Sequence, residues 1–411
     1  MSERTPPVKE PGAPPGAVGH RLALARDLAG LTRRQLATRA QVDIDVLAQV
    51  ERGECPASPS FTAATARALR LDVETLHGQP YGPALRHPNA EHAGVPALRA
   101  ALDRDADPHP PGPALTPAQL RARLEECDAH RAAARYAELA TALPDLLDHG
   151  HALAHAGTDP ETAAALLTDA YLLAQRVAYR FGYLDLAMLA TLRARDTAHH
   201  SGDRLRVAVV ACAHSLLRCH RGDYPGVARL AERAHTTITD QHHPAADAVR
   251  TTLHLRQAIN WARRGAADRA EKHLDTAREL VTRGIPASPY YTVLATPASV
   301  DICWIAVAVE LTDPATALDR ARQVKIPTGE PPALIGRHLI DLARAHTLSG
   351  DHDQALTALQ QARTIAPQLT RYHPQAHETV HHLAETQRRR ADTLPGFAHW
   401  AHITTQSSPT E

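Results

Sequence analysis

Lysine is almost absent from this chain of 411 residues: only Lys9, Lys272 and Lys325 stand against 42 Arg. Aromatic side chains are scarce too, with 3 Phe, 3 Trp and 9 Tyr. A core without them must be built from Ala, Leu and Val. Small side chains let helices approach closely, so this composition favours an all-α fold over a β-sandwich, which draws on aromatic and β-branched residues. Neither sign of charge is in excess, since 45 basic residues balance 45 acidic ones. A general basic coat for nucleic acid is thereby excluded, and any DNA contact must come from a local patch. The five cysteines, Cys55, Cys127, Cys212, Cys219 and Cys303, are odd in number and form no C-x-x-C. They argue for a reduced, cytoplasmic protein and against a disulfide framework or structural zinc. Cys212 and Cys219, seven apart on one helix, have the spacing of buried core thiols. Residues 1–18 contain no apolar signal core. No apolar stretch, Val207 to Ala213 among them, approaches the ~20 residues that span a bilayer. The bias towards Arg, Ala and His has the look of a GC-rich genome.

Motifs of nucleotide binding and serine hydrolysis are also missing: there is no G-x-x-x-x-G-K-[ST], G-x-G-x-x-G or G-x-S-x-G. Histidine is abundant, at 27 residues, with His151 and His155 four apart and adjacent pairs at 199–200, 242–243 and 381–382. Zinc needs three or four converging ligands, and no neighbouring Cys or Glu completes such a set. The expectation is therefore no metal, no cofactor and no enzymatic activity.

Proline divides what is there. Five prolines in the first fifteen residues mark residues 1–17 as a disordered leader. A compact unit follows at 18–77, then a proline-rich linker at 78–116 containing one short helix near Val95 to Leu102. Thr116-Pro117, an N-cap followed by proline at the first helical position, opens a long helical region over 117–395, with a tail at 396–411. Within that region Leu339, Leu342, Ala343 and His346 precede Gly350-Asp351, Ala355, Ala362 and Pro367. Arg264-Gly265 before Ala270 and Ala277 repeats the spacing. Arg221-Gly222-Asp223-Tyr224 before Ala228 and Asp313-Pro314 before Ala317 repeat it more loosely. The pattern resembles the tetratricopeptide repeat, in which small residues let paired helices touch. Earlier pairs are expected over 117–154 and 160–200, with a capping helix over 373–390. This gives about six helix pairs in a curved solenoid.

Residues 18–77 carry the more specific signal. Val18-Gly19-His20-Arg21-Leu22 leads to Leu31-Thr32-Arg33-Arg34-Gln35-Leu36-Ala37, then Val42 to Gly53 with Glu51-Arg52-Gly53 at its end, and Pro59 to Leu76. This segment resembles the Cro/repressor, or Xre, type of helix-turn-helix, a small five-helix domain whose third helix enters the major groove. The resemblance implies base contacts from Ile44, Asp45 and Gln49, with Val46 nearby. Gln49 suits adenine, Ile44 a thymine methyl, and Asp45 the cytosine amino group. Phosphate contacts would fall to Arg33, Arg34 and Arg52. Asp43 and Asp45 set two negative charges at the start of the reading helix, and Gln41 stands where such turns usually carry glycine. From Gly19 to Tyr81 eight Arg face seven Asp and Glu, so non-specific binding is expected to be weak.

The whole layout resembles actinobacterial Xre regulators with a tetratricopeptide-like C-terminal region, through Arg135-Tyr136-Ala137-Glu138-Leu139, Leu143-Pro144 and Tyr372-His373-Pro374. Ser299 stands where similar proteins often carry Asn. By analogy with quorum-sensing regulators of the same architecture, a peptide or small-molecule ligand is expected in the solenoid groove, on the first helix of each pair. The candidates there are His214, Arg218, Arg256, Asn260, Trp261, Asp301 and Trp304, with Tyr171, Arg180 and Arg337 as further groove residues. The expected protein is a homodimeric, ligand-responsive regulator whose partner is a double-stranded DNA operator. The alternative is a tetratricopeptide scaffold, or a repurposed and possibly enzymatic biosynthetic-pathway protein, with a vestigial head.

Overall fold

A Ser, Thr or Asp followed by proline begins helix after helix in this chain. Ser58-Pro59, Thr116-Pro117, Asp159-Pro160, Thr296-Pro297 and Asp313-Pro314 all do so, each cap side chain accepting a backbone N–H two residues beyond the proline. The cap satisfies a donor that has no helical acceptor, and proline fixes φ where no donor is needed. The computed structural model describes residues 17–81, 90–104, 110–242, 244–285, 288 and 290–386. The expected tail, the leader up to residue 16, and the last residues of the expected capping helix lie outside these. Among the described residues every regular element is helical.

The head consists of α1 (Val18–Leu28), α2 (Arg33–Ala40), α3 (Ile44–Glu51), α4 (Pro59–Leu69) and α5 (Val73–His77). Leu22, Leu36, Leu47, Val50, Phe61 and Leu76 meet in its core, each such burial being worth about 1.5–3 kcal/mol. Gly19 is required by contact, because a Cβ there would lie 1.8 Å from the Val50 carbonyl oxygen. Glu51 binds three helices together. Its buried carboxylate accepts from Arg26 Nε of α1 and Arg33 Nε of α2, both at 2.6 Å.

The body starts with α6 (Val95–Asp103), which lies in the proline-rich segment expected as linker. Its Val95, Leu98, Ala101 and Leu102 are buried in the same core as the helices that follow. Six consecutive helix pairs then form a solenoid. They are α7 (Pro117–Ala132) with α8 (Tyr136–Ala156), α9 (Pro160–Phe181) with α10 (Leu184–His200), and α11 (Arg204–His220) with α12 (Tyr224–Thr237). Next come α13 (Pro244–Ala262) with α14 (Ala267–Thr282), α15 (Pro297–Glu310) with α16 (Pro314–Gln323), and α17 (Pro332–Leu348) with α18 (His352–Ile365). The short α19 (Pro367–Arg371) and α20 (Pro374–Thr386) close the end. Ala258, Ala262, Ala270, Ala343, Ala355 and Ala362 are fully buried where paired helices touch, which is what the sequence spacing of small residues predicts.

The head is docked on this body. Glu378 of α20 is buried and accepts from the backbone N–H of Val18, at 3.2 Å, and of Ala57, at 2.9 Å. Arg67 donates to the Gly222 carbonyl at 3.0 Å, and a His382 ring nitrogen pairs with the Gly53 carbonyl at 3.2 Å. The Tyr81 ring stacks on His377 with centroids 3.8 Å apart. Gly222 takes a positive φ of 73°, and a Cβ there would meet the Ala63 methyl at 2.8 Å. Among the described residues no helix is long and apolar enough to cross a membrane.

Candidate nucleic-acid interface and ligand cavity

The start of α2 is fixed by a capping box, in which Thr32 accepts from Gln35 N at 3.2 Å and Gln35 Oε1 accepts from Thr32 N at 2.9 Å. The turn after α2 places Gln41 at φ 54°, a left-handed conformation usually filled by glycine. Asp43 then caps α3, its Oδ1 accepting from Asp45 N at 2.7 Å and Val46 N at 3.2 Å. One of the two acids on the reading helix therefore has a structural task. Leu47 and Val50 turn inward, while Ile44, Asp45, Val46 and Gln49 are exposed. Arg33, Arg34 and Arg52 are exposed beside them. Arg33 pairs with Glu51, and Arg52 pairs with Glu54 at 2.6 Å. Docking on the body uses Val18, Gly53, Ala57, Arg67 and Tyr81 and leaves the outer face of α3 open.

Inside the solenoid lies a cavity of about 250 Å³, formed largely by the first helices of the pairs. Five arginines line it: Arg131 of α7, Arg176 and Arg180 of α9, Arg256 of α13 and Arg337 of α17. Asp341 is its single carboxylate. Arg131 is held by Asp128 at 2.5 Å and Arg337 by Asp341 at 3.0 Å. Arg176, Arg180 and Arg256 have no carboxylate within ion-pair distance among the described residues. Arg176 is 9% exposed. Burial, with the charges of Arg256, Arg131 and Arg180 close by, pushes its pKa well below the usual arginine range. Burial lowers that of Arg256 as well. Apolar lining comes from Leu255, Ile259, Ile302 and Leu334. Ser299 and Cys303 of α15 also face it, and burial pushes the Cys303 thiol up to about 12.

A buried chain of ion pairs runs beside this cavity. Glu310 accepts from Arg263 at 3.0 Å and from Arg344 at 3.0 Å, and Arg344 reaches Asp341 at 3.0 Å. Burial alone would raise the Glu310 pKa, but Arg263 and Arg344 outweigh it and hold the carboxyl at about 2. Arg263, Arg337 and Arg180 also line a small cavity of about 40 Å³ at the seam, together with Pro59, His77 and Gln79 on the head side. Arg180 and Arg337 thus border both spaces.

The residues proposed from sequence for the groove divide sharply. Arg256, with Arg180 and Arg337, lines the cavity. His214 and Arg218 hydrogen-bond each other at 3.3 Å, and Arg218 pairs with Asp223 at 2.6 Å. Asn260 is fully buried and donates to Gln257 at 3.3 Å. Trp261 is sandwiched by the guanidiniums of Arg264 and Arg269, at 4.1 and 4.4 Å from its ring. Trp304 is faced by Arg278 and Arg320, and Asp301 is half-buried near Arg278. Tyr171 is buried and hydrogen-bonds His151 at 2.8 Å. Sequence reasoning missed Arg131 and Arg176. The available signal was a charge in the middle of α9, whose neighbours from Ala170 to Ala178 are otherwise almost all apolar. Cys212 and Cys219 are buried, as their spacing predicts. Among the described residues no three His, Cys, Asp or Glu converge as a metal site.

Comparison with known proteins singles out the head. A family model described as "Helix-turn-helix domain" matches residues 17–77, so the head is a helix-turn-helix DNA-binding domain. No curated protein matches the chain. Among solved structures, BtubC (BKLC) from P. vanneervenii aligns with 62% of this chain and 94% of its own length, at 18% identity and a TM-score of 0.36. That likeness is too loose to carry an argument about the body.

Proposed function

We propose that this chain is an Xre-type, ligand-responsive transcription regulator that acts in the cytoplasm as a homodimer. The exposed residues of α3 read an operator in the major groove, and the solenoid receives a signal. The observation that carries this reading is the open outer face of α3 in a head that docks on the body through other residues. Ile44, Asp45 and Gln49 supply base contacts, and Arg33, Arg34 and Arg52 meet phosphates. Arg33 and Arg52 each carry a carboxylate neighbour, so their attraction to DNA is partly neutralised before contact. The solenoid's part is supported by a cavity on the first helices of its pairs. The chain has no catalysis of its own in this account.

Footprinting of the protein on its own upstream region, followed by anisotropy titration of the protected duplex, tests it. Gln49→Ala should cost about 1–3 kcal/mol of specific binding and relax preference at one base pair. Arg34→Ala should lower the salt slope by about one. If Gln49→Ala with Arg33→Ala leaves binding to the protected duplex unchanged, the assignment of the reading face is wrong. If no upstream duplex is bound at low salt, the regulator reading fails.

A further inference from the structure

Arginine is the usual partner of carboxylates in this protein, and the cavity departs from that habit. Among the described residues most buried or half-buried arginines end on an Asp, a Glu or a backbone carbonyl: Arg26 on Glu51, Arg206 on Asp169, Arg263 and Arg344 on Glu310, Arg320 on Glu271. Arg176, Arg180 and Arg256 converge on one space and end on none. An uncompensated buried guanidinium is costly, and two beside each other add repulsion to desolvation. Such an arrangement lowers fold stability unless something outside the fold returns the missing negative charge.

We propose that the solenoid cavity is the binding site of a small organic anion carrying two or more negative charges and an apolar body. Arg176, Arg180 and Arg256 grip the charged end, and Leu255, Ile259, Ile302 and Leu334 cover the rest. A phosphate ester or a dicarboxylate fits the shared chemistry, because the planar guanidinium bonds the oxygens of either in pairs. The volume, about 250 Å³, sits just below the range of roughly 300–1,000 Å³ typical of small-molecule sites. It favours a small molecule over a peptide. Three unpaired cations set the charge of the ligand, and the apolar lining sets its amphipathic character.

The site is also placed to be felt by the head. Arg180 and Arg337 line both this cavity and the small one at the seam beside Pro59, His77 and Gln79. From Arg337 the chain Asp341, Arg344, Glu310, Arg263 runs back to that seam. An anion that draws Arg180 or Arg337 towards the cavity takes charge away from the docking surface of the head. The inference deepens the sensing half of the proposed function and rests on it for its biological role, but the binding itself is measured without DNA.

The test is a calorimetric and thermal-shift titration of the full chain with phenyl phosphate and with phthalate, and with benzyl alcohol as the uncharged control. One or both dianions should raise the melting temperature in a saturable way, and benzyl alcohol should not. A preference for phenyl phosphate assigns a phosphate ester; a preference for phthalate assigns a dicarboxylate. Arg176→Met and Arg256→Met should each weaken binding at least ten-fold, while Arg195→Ala, at an exposed ion pair, should leave it unchanged. The proposal is overturned if neither dianion binds, if the two Met variants respond like the parent, or if an acidic hexapeptide binds where both dianions fail. Binding of the upstream duplex is followed in parallel. Should the dianions fail while the duplex is still bound, the anion site falls and the regulator reading stands.

Discussion

The buried arginines of the solenoid body form two groups that differ in one respect. Arg263, just past the end of α13, and Arg344 of α17 are enclosed like Arg176 of α9 and Arg256 of α13, in the same stack. The first two share the Glu310 carboxylate; the second two meet no carboxylate among the described residues, and Arg176 feels the repulsion of Arg256, Arg131 and Arg180. Burial pulls the Arg263 pKa down, but Glu310 more than offsets this and lifts it well above the usual value, whereas that of Arg176 falls well below. Paired arginines fasten helices together at little net gain, since their mutual attraction roughly repays desolvation. Unpaired ones at a cavity wall oppose the fold. Within one stack of helices, the same side chain therefore serves architecture in one place and recognition in another, and the presence of a carboxylate decides which.

The sharpest way to break this contrast is to turn the first group into the second. Glu310→Gln strands the buried Arg263 guanidinium and leaves Arg344 with Asp341 alone, and should destabilise the protein by about 3–5 kcal/mol in denaturant unfolding. Protons act next. Burial, with Arg263 and Arg221 nearby, holds His220 at about 3, and burial with Arg21 nearby holds His381 at about 4, both against an ordinary value of 6.5. Each is neutral when folded and takes a proton when unfolded below pH 6.5. Stability is therefore full above about 6.5 and falls as pH drops towards 4, by about 1.4 kcal/mol per pH unit per histidine at most. His220 packs against His77 of the head and Tyr179, so this loss should show as loosening of the head, read by limited proteolysis at pH 7 and pH 5. Buried histidines of the body such as His214 and His254 are lowered in the same way and add to the global loss, so the proteolysis pattern is what isolates the seam. Removing an unpaired charge should act in the other direction, with Arg176→Met stabilising the unliganded chain by about 1–2 kcal/mol. Least affected is Arg195→Ala, at an exposed pair with Asp196, expected within about 0.5 kcal/mol of the parent by the same unfolding assay.

Much of the fold is legible in the sequence because it is written in local signals. Caps followed by proline start helices, and alanines at three- and four-residue spacing mark where they touch. The helix-turn-helix is legible for the same reason, through Thr32, Leu36, Ala37 and the Glu51-Arg52-Gly53 end. What sequence does not contain is which arginine finds a carboxylate. Arg344 meets Glu310 across 34 residues and Arg263 meets it across 47, whereas Arg176 has no such partner. Nothing near any of the three in the chain tells them apart. Helical periodicity gives a face but not its direction, which is why Arg256 reaches the cavity while Trp261, five residues on, meets Arg264 and Arg269 instead. Docking of the head is likewise hidden. A proline-rich segment reads as a tether, yet Gln79 and Tyr81 lie against the body and α6 joins its core.

Whether the unpaired arginines serve a ligand or the fold is decided by one calorimetric comparison. The full chain and Arg176→Met are melted without and with saturating phenyl phosphate or phthalate, whichever the parent binds. Arg176→Met should melt higher than the parent in buffer and gain much less from the dianion, so that its lead shrinks when the dianion is added. A variant that melts lower than the parent in buffer, or that is stabilised by the dianion as strongly as the parent, would contradict the ligand role.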